Sequence, residues 1–284
     1  MATTGYKLVE LANGAYGVHS LAYGETCHPS IGPVAEADAL YVRQLRLVER
    51  LRDHEGEFVI WDVGLGAAAN ALTVLAAARE TPGRLRIVSF DETIEPLRFA
   101  LEHAGALGYF SGCEEVVGRL LGGAQTPVKF TNQRQSVEWE FHLGDFPTLI
   151  QSLAQLSQSA ALSRAQPPGE VLPAPHVIMF DAFSPKANPA MWTLLLFTNL
   201  FRLLDPARPC AMPTYSRSTM LRVTLLLAGF FVGRGRAVGM KEETTITANT
   251  PDLIAEPLDR SWLPRAPLQQ RRAVDRSGLP SSTA

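Results

Sequence analysis

Short apolar runs alternate with stretches of helical period along most of this chain, and that alternation predicts its architecture. From residue 58 the order is strand FVIWDVG, a helix over 67–80 stopped by Thr81-Pro82-Gly83, strand LRIVSFD, and a helix over 94–103. A strand ending at Gly144-Asp145 follows, then a helix over about 146–163 and an apolar strand over 176–180. Asn188 as N-cap and Pro189 in the first turn open a helix over 190–204. CAMPTYS, a helix over 219–228, FFVGRGRAVG and ETTITAN complete the pattern. Alternation at this spacing makes βαβ units and a mostly parallel sheet, and the last two strands, with no helix between them, predict an antiparallel hairpin on the sheet edge. Ahead of this, runs over 6–11 and 17–23 flank the turn signal Asn13-Gly14, and helical period covers 35–53. The expected organisation is an N-terminal extension over 1–57, an α/β domain over 58–249, and a Pro/Arg-rich, flexible tail over 250–284. A Pro-rich surface loop is expected over 166–175.

Composition narrows the function classes. Hydrophobic residues are 46% and charged residues 19% of the 284, as in an ordinary globular protein large enough for a sizeable core. A formal net charge of -2 supplies no global basic field for nucleic acid, so any RNA contact must come from a local patch. Cys27, Cys113 and Cys210 are far apart and odd in number, which points to reduced thiols rather than a disulfide framework or a zinc site. No run approaches the roughly 18 apolar residues of a spanning helix, and the N-terminus lacks a basic start with an apolar core. The expectation is a cytoplasmic protein without membrane attachment and without a metal.

The candidate chemistry lies on the strand-to-helix loops, where open parallel sheets bind ligands. Gly64-Leu65-Gly66 leads from the first strand into an alanine-rich helix, a geometry that lets backbone amides approach a ligand. Ala69 stands where a dinucleotide fingerprint has its third glycine. Asp91 ends the next strand, where a carboxylate can accept both ribose hydroxyls, and Asp145 follows the third, placed to read an adenine amino group. Asp181-Ala182-Phe183-Ser184-Pro185 follows the fourth. A carboxylate after each of strands two, three and four fits S-adenosylmethionine-dependent methyl transfer better than hydride transfer. Capping roles for these aspartates, with Phe183 in the core, are the plainer alternative.

Together these residues resemble the methyltransferase domain of the MnmC-type enzymes, which methylate the aminomethyl group on the wobble uridine of certain tRNAs. The likeness covers about residues 14–249. It rests on Gly24-Glu25-Thr26 with His28, Gly32 and Glu36, the Gly64 loop with Asn70, Ser89-Phe90-Asp91, and above all the Asp181 segment with Asn188-Pro189 and Met191-Trp192. Thr214-Tyr215-Ser216, Ala228-Gly229-Phe230, and Gly239 with Lys241-Glu242 extend it. The resemblance implies a Rossmann-like, class I S-adenosylmethionine-dependent methyltransferase in its stand-alone form, without the oxidoreductase domain. It implies Asp181 and Phe183 as the catalytic pair and Gly64, Gly66, Asn70, Asp91, Asp145 and Glu36 around the cofactor. Ser184, Pro185, Tyr215, Arg234 and Arg236 would face the substrate.

Ala67-Ala68 replaces the usual Thr-Gly, Asp91 a usual glutamate, and Ala190 a common acidic residue, which leaves substrate identity open. A lone histidine is more often structural than catalytic, so His28 stays outside the expected catalytic set, and Trp192 is expected in the core. Arg217, Arg222, Arg234, Arg236 and Lys241, with Arg260, Arg265, Arg271, Arg272 and Arg276 of the tail, are candidate phosphate contacts. The expected partners are tRNA and a separate oxidoreductase that supplies the aminomethyl substrate. A small-molecule amine N-methyltransferase, an aminopropyltransferase-like enzyme, a nicotinamide dehydrogenase and a non-catalytic RNA- or protein-binding module are the other readings.

Overall fold

The structure, a computed structural model, describes residues 5–28, 31–123, 126–163, 172–239 and 241–258. Strands β1 (Tyr6–Glu10), β2 (Tyr16–Ser20) and β3 (Glu25–Thr26) form a small antiparallel sheet, its first turn at Asn13-Gly14. Then come α1 (Pro33–Ala37), a π turn (Asp38–Arg43) and α2 (Leu47–Asp53). The single helix expected over 35–53 is thus broken, with Arg46 in the left-handed region at φ 49°. Ala37, Leu40, Tyr41, Val42, Leu45 and Leu47 are all buried, more positions than one stripe of a straight helix can turn inward, and the π turn and break rotate them toward the core.

The main sheet has eight strands. β4 (Glu57–Val63), α3 (Ala69–Ala78), β5 (Gly83–Asp91), α4 (Glu95–Glu102), α5 (Ala104–Leu107) and α6 (Glu114–Gly122) lead to the hairpin β6 (Val128–Asn132) and β7 (Gln135–Leu143). The chain continues through α7 (Phe146–Ser163), β8 (Val177–Phe180), α8 (Leu194–Leu203), β9 (Ala211–Thr214), α9 (Thr219–Ala228), β10 (Phe231–Gly235) and β11 (Thr244–Ala248). The spatial order is β10-β11-β9-β8-β4-β5-β7-β6, with β9 through β7 parallel and both edges antiparallel. This is a Rossmann-like fold, and the expected edge hairpin is β10-β11. The chain lays down β5 and β7 on one side of β4 and returns to place β8 on the other, so the switch point lies beside β4.

Alternation along the buried strands makes two cores. Phe58, Ile60, Leu85, Ile87 and Met179 face the side covered by α1 to α6. Val59, Trp61, Val63, Phe90, Ile178 and Phe180 face α7, α8 and α9. Each such side chain, wholly withdrawn from water, contributes about 1.5–3 kcal/mol. This rigid pair of layers holds the loops at the strand ends.

Three further expectations are corrected. Asn188 makes no side-chain cap; Pro189–Trp192 form a 3₁₀ turn, and α8 starts at Leu194 with Thr193 Oγ1 accepting from the Leu196 N–H at 3.2 Å. The strand before Gly144 pairs with β6, which the sequence reading did not place; their turn puts Gln133 at φ 53° without a glycine to signal it. Residues 250–258 are packed, since the Arg234 N–H donates to Glu256 O, the Leu258 N–H donates to Val232 O, and Ile254 and Leu258 are buried. Most of the 166–175 loop and the tail arginines lie outside the described residues.

Candidate active site at the switch point

Beside β4 the loops after β4, β5, β7, β8 and β9 surround a cavity of about 460 Å³, closed over by the N-terminal segment through Tyr6, Tyr23, Cys27 and Glu36. The β4–α3 loop is lashed to the end of β5. The N–H groups of Gly64 and Leu65 both donate to Phe90 O (2.9 and 3.1 Å), and the Gly66 N–H donates to Asp91 Oδ2 at 2.8 Å. Gly64 is required by approach as well as by its φ of 87°: a Cβ there would stand 2.6 Å from Asp181 O. The glycine loop and the Asp181 loop are therefore built against one another. Asp91 Oδ1 also accepts from the Thr93 N–H, yet burial pushes its carboxyl up to about 6.

The sequence-predicted residues divide by position. Asp181, Phe183, Gly64, Gly66, Asn70, Asp91, Asp145, Glu36, Ser184, Pro185 and Tyr215 all line the cavity. Asp145 is exposed, and its Oδ2 accepts from the Thr148 N–H at 2.9 Å, capping α7 from the rim. Asn70, buried in the first turn of α3, donates from Nδ2 to Asp181 Oδ2 at 2.8 Å. Phe183 stacks on Tyr23 with ring centres 4.5 Å apart, and the Tyr23 hydroxyl bonds Glu92. Ser184 donates both its N–H and its hydroxyl to Glu25. Trp192 is half-buried rather than core; its Nε1 donates to Phe183 O at 2.8 Å and so fixes the loop.

Arg234 and Arg236 are not brought to the cavity lining. Arg234 pairs with Glu243 at 3.6 Å on the sheet edge, and Arg236 is exposed nearby. Arg222 is a structural cation, buried and bonded to Glu243, Thr244 O and Thr245 Oγ1. Lys241 does line the cavity, with Nζ 3.4 Å from the centre of the Tyr215 ring and donating to Tyr215 O; its pKa is lowered by burial. The sequence gives Tyr23 no signal beyond its place ahead of β4, offers Glu25 only within the resembling Gly24-Glu25-Thr26 segment and without a role, and leaves His28 aside. That ring sits in the cavity wall with Nδ1 3.4 Å from Glu36 Oε2 and Nε2 3.3 Å from Asp181 Oδ2.

Glu25, Glu36, Asp91, Glu92, Asp145 and Asp181 give the lining an acidic balance that Lys241 does not offset. Such a wall favours cationic ligands, and a sulfonium cofactor is one. A carboxylate at the end of β5, an open glycine loop and apolar Phe90 and Leu65 between them suit its ribose, charged tail and base. Among the described residues no group of His, Cys, Asp and Glu could hold a metal, and no helix is long and apolar enough to cross a membrane.

Comparison with known proteins agrees with this geometry. Residues 169–250 match a family model described as S-adenosyl-L-methionine-dependent methyltransferase. The chain is 29% identical over 225 residues to the tRNA 5-methylaminomethyl-2-thiouridine biosynthesis bifunctional protein MnmC of Burkholderia mallei, covering 75% of this chain. The corresponding protein of Burkholderia pseudomallei matches equally. The chain spans 31% of the length of these curated relatives. Among solved structures, MnmC2 from Aquifex aeolicus shares the fold with a TM-score of 0.62 at 21% identity, over 97% of this chain and 85% of that one. The chain is thus similar, over residues 169–250, to S-adenosyl-L-methionine-dependent methyltransferases, and over most of its length to part of the MnmC proteins.

Proposed function

We propose that this chain methylates the primary amine of an aminomethyl group on the wobble uridine of tRNA. The observation that carries the reading is the Asp181–Phe183 loop. It abuts the glycine loop at the switch point, so a group that can accept an N–H and a ring that can stack on a base stand together beside the cofactor's place. The names of the curated relatives support the tRNA acceptor.

S-adenosyl-L-methionine supplies an electrophilic methyl group carried on sulfur. The chain's own contribution is to bind, to orient and to keep the amine lone pair aligned, which is where most acceleration of such a displacement arises. Gly64, Gly66 and Asp91 would hold the cofactor's hydroxyl-bearing part, with Asp145 and Glu36 at its two ends and Asn70 beneath. Asp181 would accept an N–H of the acceptor amine and turn its lone pair toward the methyl. Phe183, backed by Tyr23, offers a face for the base, while Ser184, Pro185 and Tyr215 complete the acceptor wall. Lys241 and exposed Arg217 stand nearest the acceptor side and are the first phosphate contacts, with Arg234 and Arg236 engaging RNA farther out. A tRNA acceptor sets the reaction in the cytoplasm, and an oxidoreductase acting before this step would supply the aminomethyl group.

The acidic lining also favours a second reading, a free small-molecule amine as acceptor. Labelled methyl transfer into tRNA isolated from cells lacking this methylation, with free polyamine as competitor, separates the two. Label in tRNA that excess polyamine does not displace supports the proposal; label in the polyamine alone overturns it.

A further inference from the structure

We propose that His28 is a positioning residue of the methyl-transfer site, clamped between Glu36 and Asp181 so that one oxygen of Asp181 is held and the other is left for the acceptor amine. This rests on Asp181 as the group that orients the amine.

The geometry of the ring carries it. Both nitrogens face a carboxylate oxygen, Nδ1 toward Glu36 Oε2 at 3.4 Å and Nε2 toward Asp181 Oδ2 at 3.3 Å. A neutral imidazole has one N–H and would turn a bare lone pair toward one of these anions; only the doubly protonated ring donates in both directions. The site is dry: the His28 side chain is 9% exposed and that of Glu36 4%. At such depth a lost partner leaves a charge without compensation. The backbone is committed as well, since His28 holds the left-handed conformation at φ 52°, which a residue with a Cβ adopts at a cost.

Asp181 is then defined from one side. Its Oδ2 accepts from Asn70 Nδ2 at 2.8 Å and meets His28, whereas no hydrogen bond to Oδ1 occurs among the described residues. One hydrogen bond and one ionic contact on the same oxygen fix the rotation of the carboxylate. The groups that act on His28 are Asp181 from the β8 loop, Glu36 from α1 and Asp62 from β4; Tyr41 of the π turn and Cys27 lie in the same field. Glu36 also acts on Lys241, whose pKa it raises against the larger effect of burial. Burial opposes the charged ring, but Asp181 and Glu36 outweigh it and raise the His28 pKa. The imidazolium therefore persists above the pH at which a free histidine loses its proton, and the clamp is released on the alkaline side.

Two measurements on the full chain test this. The first is an NMR titration of the His28 ring without any acceptor. The ring is expected to titrate above the ordinary histidine value, and Glu36→Gln and Asp181→Asn are each expected to bring it down. A ring that titrates at the ordinary value, unmoved by both substitutions, overturns the clamp. The second is turnover of tRNA bearing the unmethylated aminomethyl uridine. His28→Ala is expected to lower kcat by about tenfold or more with little change in the KM for S-adenosyl-L-methionine. His28→Gln, which keeps an N–H donor at every pH, is expected to recover part of that loss and to abolish the alkaline fall of the wild-type profile. Full kcat in His28→Ala, or an alkaline limb that survives His28→Gln, overturns it. If the wild-type chain leaves that tRNA unmethylated, the acceptor reading fails while the titration still decides the clamp.

Discussion

Adding one methyl group at Gly64 should separate what the glycine loop does for the fold from what it does for a ligand. At Gly64 the backbone is left-handed (φ 87°), and a Cβ would lie 2.6 Å from Asp181 O and 3.0 Å from its carbonyl carbon. The left-handed strain of an alanine is about 1–2 kcal/mol, and forcing two backbone segments apart adds about 1–3 kcal/mol, as for an overpacked core. The sum is a loss of about 2–5 kcal/mol, with the Asp181 loop displaced. Gly66 is the control. It is left-handed too (φ 52°), but the nearest atom to its Cβ is Gly64 O at 3.8 Å. Gly66→Ala therefore carries the conformational strain alone; with the offset of about 0.4–1 kcal/mol from the stiffer unfolded chain, which both variants share, it should cost no more than about 1.6 kcal/mol. Urea unfolding of both variants gives the stabilities, and calorimetric titration of S-adenosyl-L-methionine into Gly66→Ala, whose methyl borders the cavity, reads the ligand effect. Equal stability of the two variants would refute the claim that the loops are built against one another.

Other substitutions probe the charges. Asp62 is fully buried beneath the site, and burial pushes its carboxyl up to about 7 although Ser89 Oγ donates to it at 2.9 Å. The folded state then binds more protons than the unfolded one as pH rises from about 4 to about 7, so this group's contribution to stability falls across that window, by at most about 4 kcal/mol. Asp62→Asn should be more stable than wild type at pH 8 and close to it at pH 4; equal gains at both would exclude titration as the cause. Asp91→Ala should weaken S-adenosyl-L-methionine binding by about 1.5–3 kcal/mol. Wild-type affinity should fall as pH drops below about 6, where Asp91 takes up its proton; calorimetry at pH 5 and 8 checks both, and a flat affinity argues against Asp91 as the anchor. Asp181→Ala should lower turnover by a factor on the order of a hundred while sparing cofactor affinity, since misplacement of a reacting atom alone costs that much; undiminished turnover removes Asp181 from the site.

The central sheet was legible because its signals are local and repeated: buried strands such as VIWDV and VIMF, each followed by a helix with a turn between. The helix over 219–228 and the Asn13-Gly14 hairpin were legible for the same reason. What escaped depends on distant partners. The π turn at 38–43 is set by the surfaces that Tyr41 and Val42 must reach, and β6 exists because β7 lies beside it. Thr193 displaced Asn188 as the cap because the Asp181 loop needs residues 189–192 for its own support through Trp192. In the site, single residues on strand-end loops could be named from their position in the βα pattern. Contacts reaching across more than a hundred residues, Asn70 and His28 on Asp181 and Glu25 on Ser184, leave no spacing to read. The arginines of β10 illustrate the converse: near the acceptor loop in sequence order, they sit on the sheet edge, two strands removed from the strand that feeds Tyr215.

The most direct test of the account is nucleoside mass spectrometry of tRNA whose wobble uridine carries an unmethylated aminomethyl group, after incubation with this protein and S-adenosyl-L-methionine. The account predicts one added methyl on that nucleoside, dependent on both components and lost in Asp181→Ala. An unchanged nucleoside from a chain that binds the cofactor and methylates a free amine would contradict it.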